Sequence, residues 1–142
     1  MTFRLRFRVR YSECDAQGIV FNARWGDYID LAVAEYTRAI FFACAGGADY
    51  EWRLRKQTIE WRSPARYDDV LEVAVATKAV GTSSFTIDFR ISRGDTLLAV
   101  AETVYVFVDN AANLKRPIPD AARAALERGA PGITVDQSAA SR

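Results

Sequence analysis

No histidine occurs anywhere in the 142 residues. That absence removes Ser-His-Asp and Cys-His nucleophile pairs and every catalytic zinc site that depends on imidazole. Any acid–base chemistry then falls to a carboxylate, a Lys, a Tyr or a Cys. Cysteine is scarce too: Cys14 and Cys44 make neither a disulfide framework nor a metal-binding spacing. No metal and no organic cofactor is therefore expected. Neither sign of charge dominates, with 19 Lys and Arg against 18 Asp and Glu. A protein that coats nucleic acid or an anionic membrane needs a large basic surplus, so neither is an expected partner. No apolar run approaches the ~20 residues of a membrane span; the longest lies around Ala39 to Ala48. Arg4, Arg6, Arg8 and Arg10 stand where the apolar segment of a secretory signal would have to be. The cytoplasm is the expected compartment.

What is present is enough for one core. Half of the residues are hydrophobic, and a chain of this length buries roughly 70% of the surface its unfolded form exposes. Phe3, Leu5, Phe7, Val9 and Tyr11 alternate with the four arginines, which predicts a strand with one apolar and one solvated face. The Cys14-Asp15-Ala16-Gln17-Gly18 segment reads as a turn. Asn22 is then the expected N-cap of a helix running to about Ala45, stopped by Gly46-Gly47 and apolar nearly all round, hence buried. Strands follow over residues 52–62, 70–80, 85–92 and 97–108, joined by turns short enough to force antiparallel neighbours. A short helix from Ala121 to Arg128, capped by Asp120, closes a single domain over residues 1–129; residues 130–142 read as a disordered tail. The order implies an α+β fold, an antiparallel sheet wrapped around one long helix. Its edges need covering by association.

Several features with functional overtones have ordinary explanations. Arg93-Gly94-Asp95 is hairpin chemistry, Asp68-Asp69 is a turn, and Cys14 has no base to activate it. Glu35, mid-helix among apolar residues, is either a subunit-seam residue or a catalytic one. Asp15 carries more weight. It lies seven residues before Asn22, so the turn can direct its carboxylate toward a helix N-terminus with unpaired N–H groups and about half a positive charge. Such donors hold a developing oxyanion while a carboxylate attacks an acyl carbon or activates water to do so.

The stretch from Tyr11 through Ser12, Glu13, Cys14, Asp15, Ala16, Gln17, Gly18, Ile19, Val20, Phe21, Asn22, Ala23 and Arg24 to Trp25 resembles the signature of the 4-hydroxybenzoyl-CoA thioesterase family, with its acyl-CoA thioester hydrolase branch. Supporting matches are Ser63-Pro64-Ala65-Arg66-Tyr67-Asp68-Asp69, Val80-Gly81-Thr82-Ser83-Ser84-Phe85 and Lys115-Arg116-Pro117-Ile118-Pro119, and the resemblance spans about residues 3 to 128. It implies a hotdog fold and hydrolysis of an acyl- or aryl-CoA thioester. Asp15 would be nucleophile or general base, and the Asn22 and Ala23 backbone N–H groups would polarise the carbonyl. Position 22 is Tyr or His in other members and Asn here. Gly18, Trp25, Arg66, Lys78, Ser83, Ser84 and Arg116 are the expected substrate-binding residues, with Lys115 a further cation for the CoA phosphates and Tyr28 beside Trp25 for the acyl group. The resemblance also implies a homodimer or homotetramer with sites between subunits. The rival reading is a hotdog module that binds acyl-CoA or acyl carrier protein without turnover; hotdog dehydratases use a His that this chain lacks.

Overall fold

The computed structural model describes residues 2–139. Seven strands and two helices make one α+β unit: β1 (Phe3–Arg8), α1 (Trp25–Phe41), β2 (Glu51–Trp61), β3 (Val70–Val80), β4 (Ser84–Arg93), β5 (Thr96–Asp109), β6 (Leu114–Lys115), α2 (Asp120–Arg128) and β7 (Thr134–Asp136). The sheet runs β2-β5-β4-β3-β1-β7, with β6 pairing β5. Every pairing is antiparallel except that of β1 with β7.

Strand alternation sets the core. Phe3, Leu5, Phe7, Leu71, Val73, Val75, Phe85, Ile87, Phe89, Ile91, Tyr105 and Phe107 share the covered face, and α1 lies in the same core cluster. The arginines of β1 occupy the other parity and are held by acids: Arg4 and Arg6 by Glu72, Arg6 also by Asp136, and Arg8 by Asp68. They form a solvated, ion-paired face, as the alternation predicts. At this exposure such pairs contribute about 0–1 kcal/mol each.

The helix differs from its expected form in three respects. Asn22 is not its N-cap: Asn22–Arg24 form a 3-10 turn, and α1 begins at Trp25 with no side-chain cap. It ends at Phe41, four residues early, because Phe42 to Asp49 turn tightly, with Gly46 at φ 71°. And it is not apolar all round. Trp25, Tyr28, Ile29, Ala32, Val33, Tyr36, Thr37, Ile40 and Phe41 are buried at helical spacing, while Asp27, Asp30, Ala34 and Arg38 face outward. One apolar stripe on a sheet is all that the packing requires.

Smaller differences follow the same logic. β1 stops at Arg8, and Tyr11 lies in a 3-10 turn, 79% exposed. Asp120 is the first residue of α2 rather than its cap; Pro119 holds the cap position, and its ring offers no hydrogen-bonding group. Residues 134–136, expected within a disordered tail, form β7 along the free edge of β1, pairing Thr134, Val135 and Asp136 with Arg4, Leu5 and Arg6. The expectation for residues 140–142 lies outside the described residues. Among those described, no helix is long and apolar enough to cross a membrane.

Candidate active site

The Asp15 turn is the tip of a small hairpin. Cys14 bridges Val20, Asp15 N–H donates to Ile19 O at 2.8 Å and Phe21 N–H to Glu13 O at 2.9 Å. Gly18, at φ 79°, closes the tip through its N–H to Asp15 O at 3.0 Å, a conformation that favours glycine. Asp15 is exposed. Its Oδ1 accepts the Gln17 N–H at 2.8 Å, and Oδ2 has no partner among the described residues.

The hairpin is fixed on two sides. Val20 N–H donates to Ala65 O at 2.8 Å and Ile19 bridges Arg66, which ties it to the segment after β2. Phe21 is extended, at φ −62° and ψ 135°, and delivers the chain into the 3-10 turn ahead of α1. Arg24 N–H is taken by Phe21 O at 2.9 Å, but the Asn22 and Ala23 N–H groups have no acceptor among the described residues. Two free donors thus stand at the positive end of α1. Asn22 and Trp25 border an apolar cavity of about 300 Å³ with Ile19, Val20, Trp61 and Pro64.

Asp15 does not line that cavity. It opposes Ile19, three residues before Asn22, which is roughly 10 Å of extended chain. The turn holds Asp15 at the hairpin tip, one short strand away in sequence from the start of the helix.

The other substrate-binding candidates divide. Gly18, Asn22, Ala23, Trp25 and Arg66 belong to the helix-start end, where the Arg66 guanidinium has no ion-pair partner among the described residues. Ser83, Ser84 and Arg116 gather at the opposite end of the sheet: Phe107 N–H donates to Ser83 O at 2.8 Å, Gly81 N–H to Ser84 O at 2.7 Å, and the Arg116 guanidinium lies 6.0 Å from the Phe107 ring centre. Ala99 opposes Trp61 at one end of β5 and Val106 opposes Ser84 at the other. Seven residues of strand are roughly 23 Å. Lys115 is exposed on β6, beside that second group. Lys78 belongs to neither; Glu102 Oε2 takes its ammonium at 2.6 Å and raises its pKa. Tyr28 turns away from the apolar cavity and lines a separate 660 Å³ cleft with Arg8, Arg10, Tyr11 and Tyr67.

The remaining sequence candidates resolve simply. Burial, with Glu13, Asp15 and Asp69 nearby, raises the Cys14 thiol pKa, which disfavours a nucleophilic thiolate. Glu35 pairs with Arg38 at 3.0 Å within its own helix. Asp69 bonds Arg93 and the Arg66 N–H, each at 2.8 Å, and Asp68 sits at φ 72°, so both are turn residues. Among the described residues no three His, Cys, Asp or Glu side chains cluster as metal ligands would.

Sequence reasoning passed over Gln57, Thr103 and Tyr105. Gln57 Oε1, Thr103 Oγ1 and Tyr105 OH are buried without hydrogen-bond partners. The available signal was parity: Thr103 falls on the core-facing side of β5, between Ala101 and Tyr105.

Residues 9–126 match the sequence profile of the Thioesterase-like superfamily. The acyl-CoA thioester hydrolase YbgC of Escherichia coli is 32% identical over 120 residues, covering 82% of this chain and 90% of its own. The crystal structure of a hypothetical protein from Aquifex aeolicus superposes with a TM-score of 0.79 at 30% identity, over 87% of this chain and 98% of the other. A Thermus thermophilus thioesterase crystallised with coenzyme A and zinc has the same fold, with a TM-score of 0.78 at 23% identity over 88% and 91% of the two chains.

Proposed function

This chain belongs to the thioesterase-like superfamily, and from that membership we propose that it hydrolyses acyl-CoA thioesters to a carboxylic acid and free CoA by means of Asp15 and the amides at the start of α1. The observation that carries the reading is the pair of unbonded N–H groups on Asn22 and Ala23 beside an apolar cavity. A thioester carbonyl oxygen accepts from both, and the helix dipole opposes the negative charge that grows on it. The acyl group enters between Trp25 and Trp61. Asp15, whose Oδ2 has no partner among the described residues, serves as the general base that takes a proton from the attacking water. The water adds to the carbonyl carbon, the tetrahedral intermediate collapses, and the thiolate of CoA leaves and takes up a proton. Asn at position 22 serves through its backbone and needs no imidazole.

The two groups of candidate contacts favour a site shared between copies. β2 is the long edge strand of the sheet, and its exposed Leu54 and Trp61 call for cover. Pairing two β2 strands antiparallel about a two-fold axis sets the Trp61 end of one copy beside the Glu51 end of the other. That brings Ser83, Ser84 and Arg116 of the second copy toward the helix start of the first, where they can hold the CoA phosphates and pantetheine arm with Arg66. Cys14 and Cys44 are both free thiols, in keeping with work in the cytoplasm.

The test is a panel of benzoyl-, short-chain and long-chain acyl-CoAs with thiol release as the readout. Release from at least one class supports hydrolysis. Saturable binding of every class with no release overturns it in favour of a binding module.

A further inference from the structure

The pairing of β2 with β5 assigns each β2 side chain to a face. Trp52, Leu54, Gln57, Ile59 and Trp61 oppose Phe107, Tyr105, Thr103, Ala101 and Ala99 on the covered face, and Glu51, Arg53, Lys56, Thr58 and Glu60 take the outer one. Arg55 has no partner on β5: it is the extra residue of a bulge between Leu54 and Lys56. Arg62 continues the ladder, its N–H donating to Leu98 O at 2.7 Å.

A second copy laid antiparallel along this edge must match faces, because residues directly opposite share a side. One register also matches chemistry. With Gln57 on the two-fold axis, facing its twin, Leu54 opposes Ile59 and Trp52 opposes Trp61 on the covered face. On the outer face Arg53 opposes Glu60, Glu51 opposes Arg62, and the bulge pair Arg55 and Lys56 meets Thr58. The neighbouring registers set like charges against each other. Centring on the bulge opposes Glu51 to Glu60 and the bulge cations to their twins, and centring on Thr58 opposes Arg53 to Arg62. One step further either way opposes Arg53 to Lys56, or Lys56 to Arg62. Within one copy Arg53 already bonds Glu51 at 3.3 Å, and Arg62 bonds Glu60 at 3.0 Å. In the Gln57-centred register these two pairs face each other and close an alternating ring of four charges on each side of the axis.

That axis passes the start of α1, since Gln57 Nε2 is 3.5 Å from where a Cβ on Gly26 would stand. Trp61 borders the apolar cavity with Trp25, and half of its surface is open. Trp52 of the second copy comes to that open side. Its own core backs it, with the Phe41 and Phe107 rings 5.5 Å and 6.1 Å away. We propose that two copies pair through β2 with Gln57 on the axis, and that Trp52 of each copy walls the acyl cavity of the other and limits the length of acyl group it admits. The register stands without the hydrolase reading; the role of Trp52 rests on it.

Cysteine cross-linking reads the register. A residue on the axis can form a disulfide with its twin, whereas Leu54 and Ile59 each lie about 13 Å from theirs, beyond disulfide reach. Under mild oxidation most of a Gln57→Cys protein should become a linked dimer. Leu54→Cys and Ile59→Cys should not link singly but should link when combined in one chain. The wild type, with Cys14 and Cys44 in place, is the control. Linkage of Leu54→Cys or Ile59→Cys alone, or of no variant, overturns the register. A second arm holds if Gln57→Cys does not fold: Arg53→Glu and Glu60→Arg each oppose like charges as homodimers, so mixing them should yield heterodimers, and their absence overturns the register too. Trp52→Phe keeps a ring on Phe41 and Phe107 and should raise kcat/KM for long-chain over short-chain acyl-CoAs by about tenfold. An unchanged ratio overturns the role of Trp52. If no thioester is hydrolysed, that role fails with the hydrolase reading, while the cross-links still decide the register.

Discussion

Tyr28 donates its hydroxyl to Glu13 Oε1 at 2.9 Å, joining the first turns of α1 to the strand of the hairpin that carries Asp15. The same carboxylate oxygen takes the Arg10 N–H at 2.8 Å, so Glu13 is committed to holding the hairpin. Burial, the bond to Glu13 and that residue's charge all raise the Tyr28 pKa, so the phenol stays a donor. Two acids two residues apart therefore have different work. Glu13 Oε1 takes two bonds that brace the hairpin against the helix, whereas Asp15 takes only the Gln17 N–H within its own turn.

Asp15→Asn retains an Oδ1 for the Gln17 N–H, so stability should fall by at most about 1 kcal/mol. Turnover should fall by about a hundredfold or more, the scale of a lost general base, with a much smaller change in KM. Urea unfolding and steady-state kinetics on one preparation check both. Undiminished turnover would rule out Asp15 as the base.

The Asn22 amide can be removed without touching its neighbours. Phe21 is already extended, as a residue before proline must be, and the Asn22 N–H bonds nothing among the described residues. Asn22→Pro should therefore fold normally and lose about 10²–10³ in kcat, the cost of one oxyanion donor. Asn22→Ala keeps the N–H and should stay close to wild type. Equal loss in both would assign the role to the side chain instead.

An eleven-residue edge strand with Leu54 and Trp61 each 48% exposed should be covered in solution. Sedimentation at micromolar concentration should show a dimer or tetramer, and Leu54→Lys should shift it toward monomer. A wild-type protein that sediments only as monomer contradicts the shared-site arrangement.

Alkaline pH should weaken the fold through its buried phenols. Tyr28, Tyr36 and Tyr105 all titrate above the ordinary tyrosine value when folded. Below pH 10 both states hold these protons and the groups contribute no slope. As pH rises past about 10 the unfolded chain loses protons that the folded one keeps, so stability falls by up to about 1.4 kcal/mol per pH unit per group. Urea midpoints at pH 8 and 10.5 should show the drop, and Tyr105→Phe should reduce it. A midpoint unchanged at pH 10.5 would mean that these phenols are not shielded.

How far the sequence speaks depends on the range of the forces at each point. β3 falls at Val70–Val80, where it was expected, because apolar alternation between turn residues is a local signal. The end of α1 was misjudged because Phe42 and Ala43 look no less helical than Phe41; the turn beyond them decides it. β7 was invisible because three residues make no pattern, and its partner β1 lies at the other end of the chain. The site divides in the same way. Asp15 and Asn22 stand out because hairpin, turn and helix start are contiguous, whereas Gln57 and Thr103 become neighbours only when β2 and β5 pair.

β7 also limits growth. A sheet with both edges open can add copies on either side without end, as fibrils do. Here the outer edge of β1 is occupied over Arg4–Arg6 by the three-residue β7, which leaves a short edge on that side and the eleven-residue β2 as the long one. Once two β2 strands have paired, neither copy has a comparable edge to offer a third. In a pair joined through β2, this three-residue strand would act as a chain terminator, and deleting it should turn such a pair into a building block for polymers.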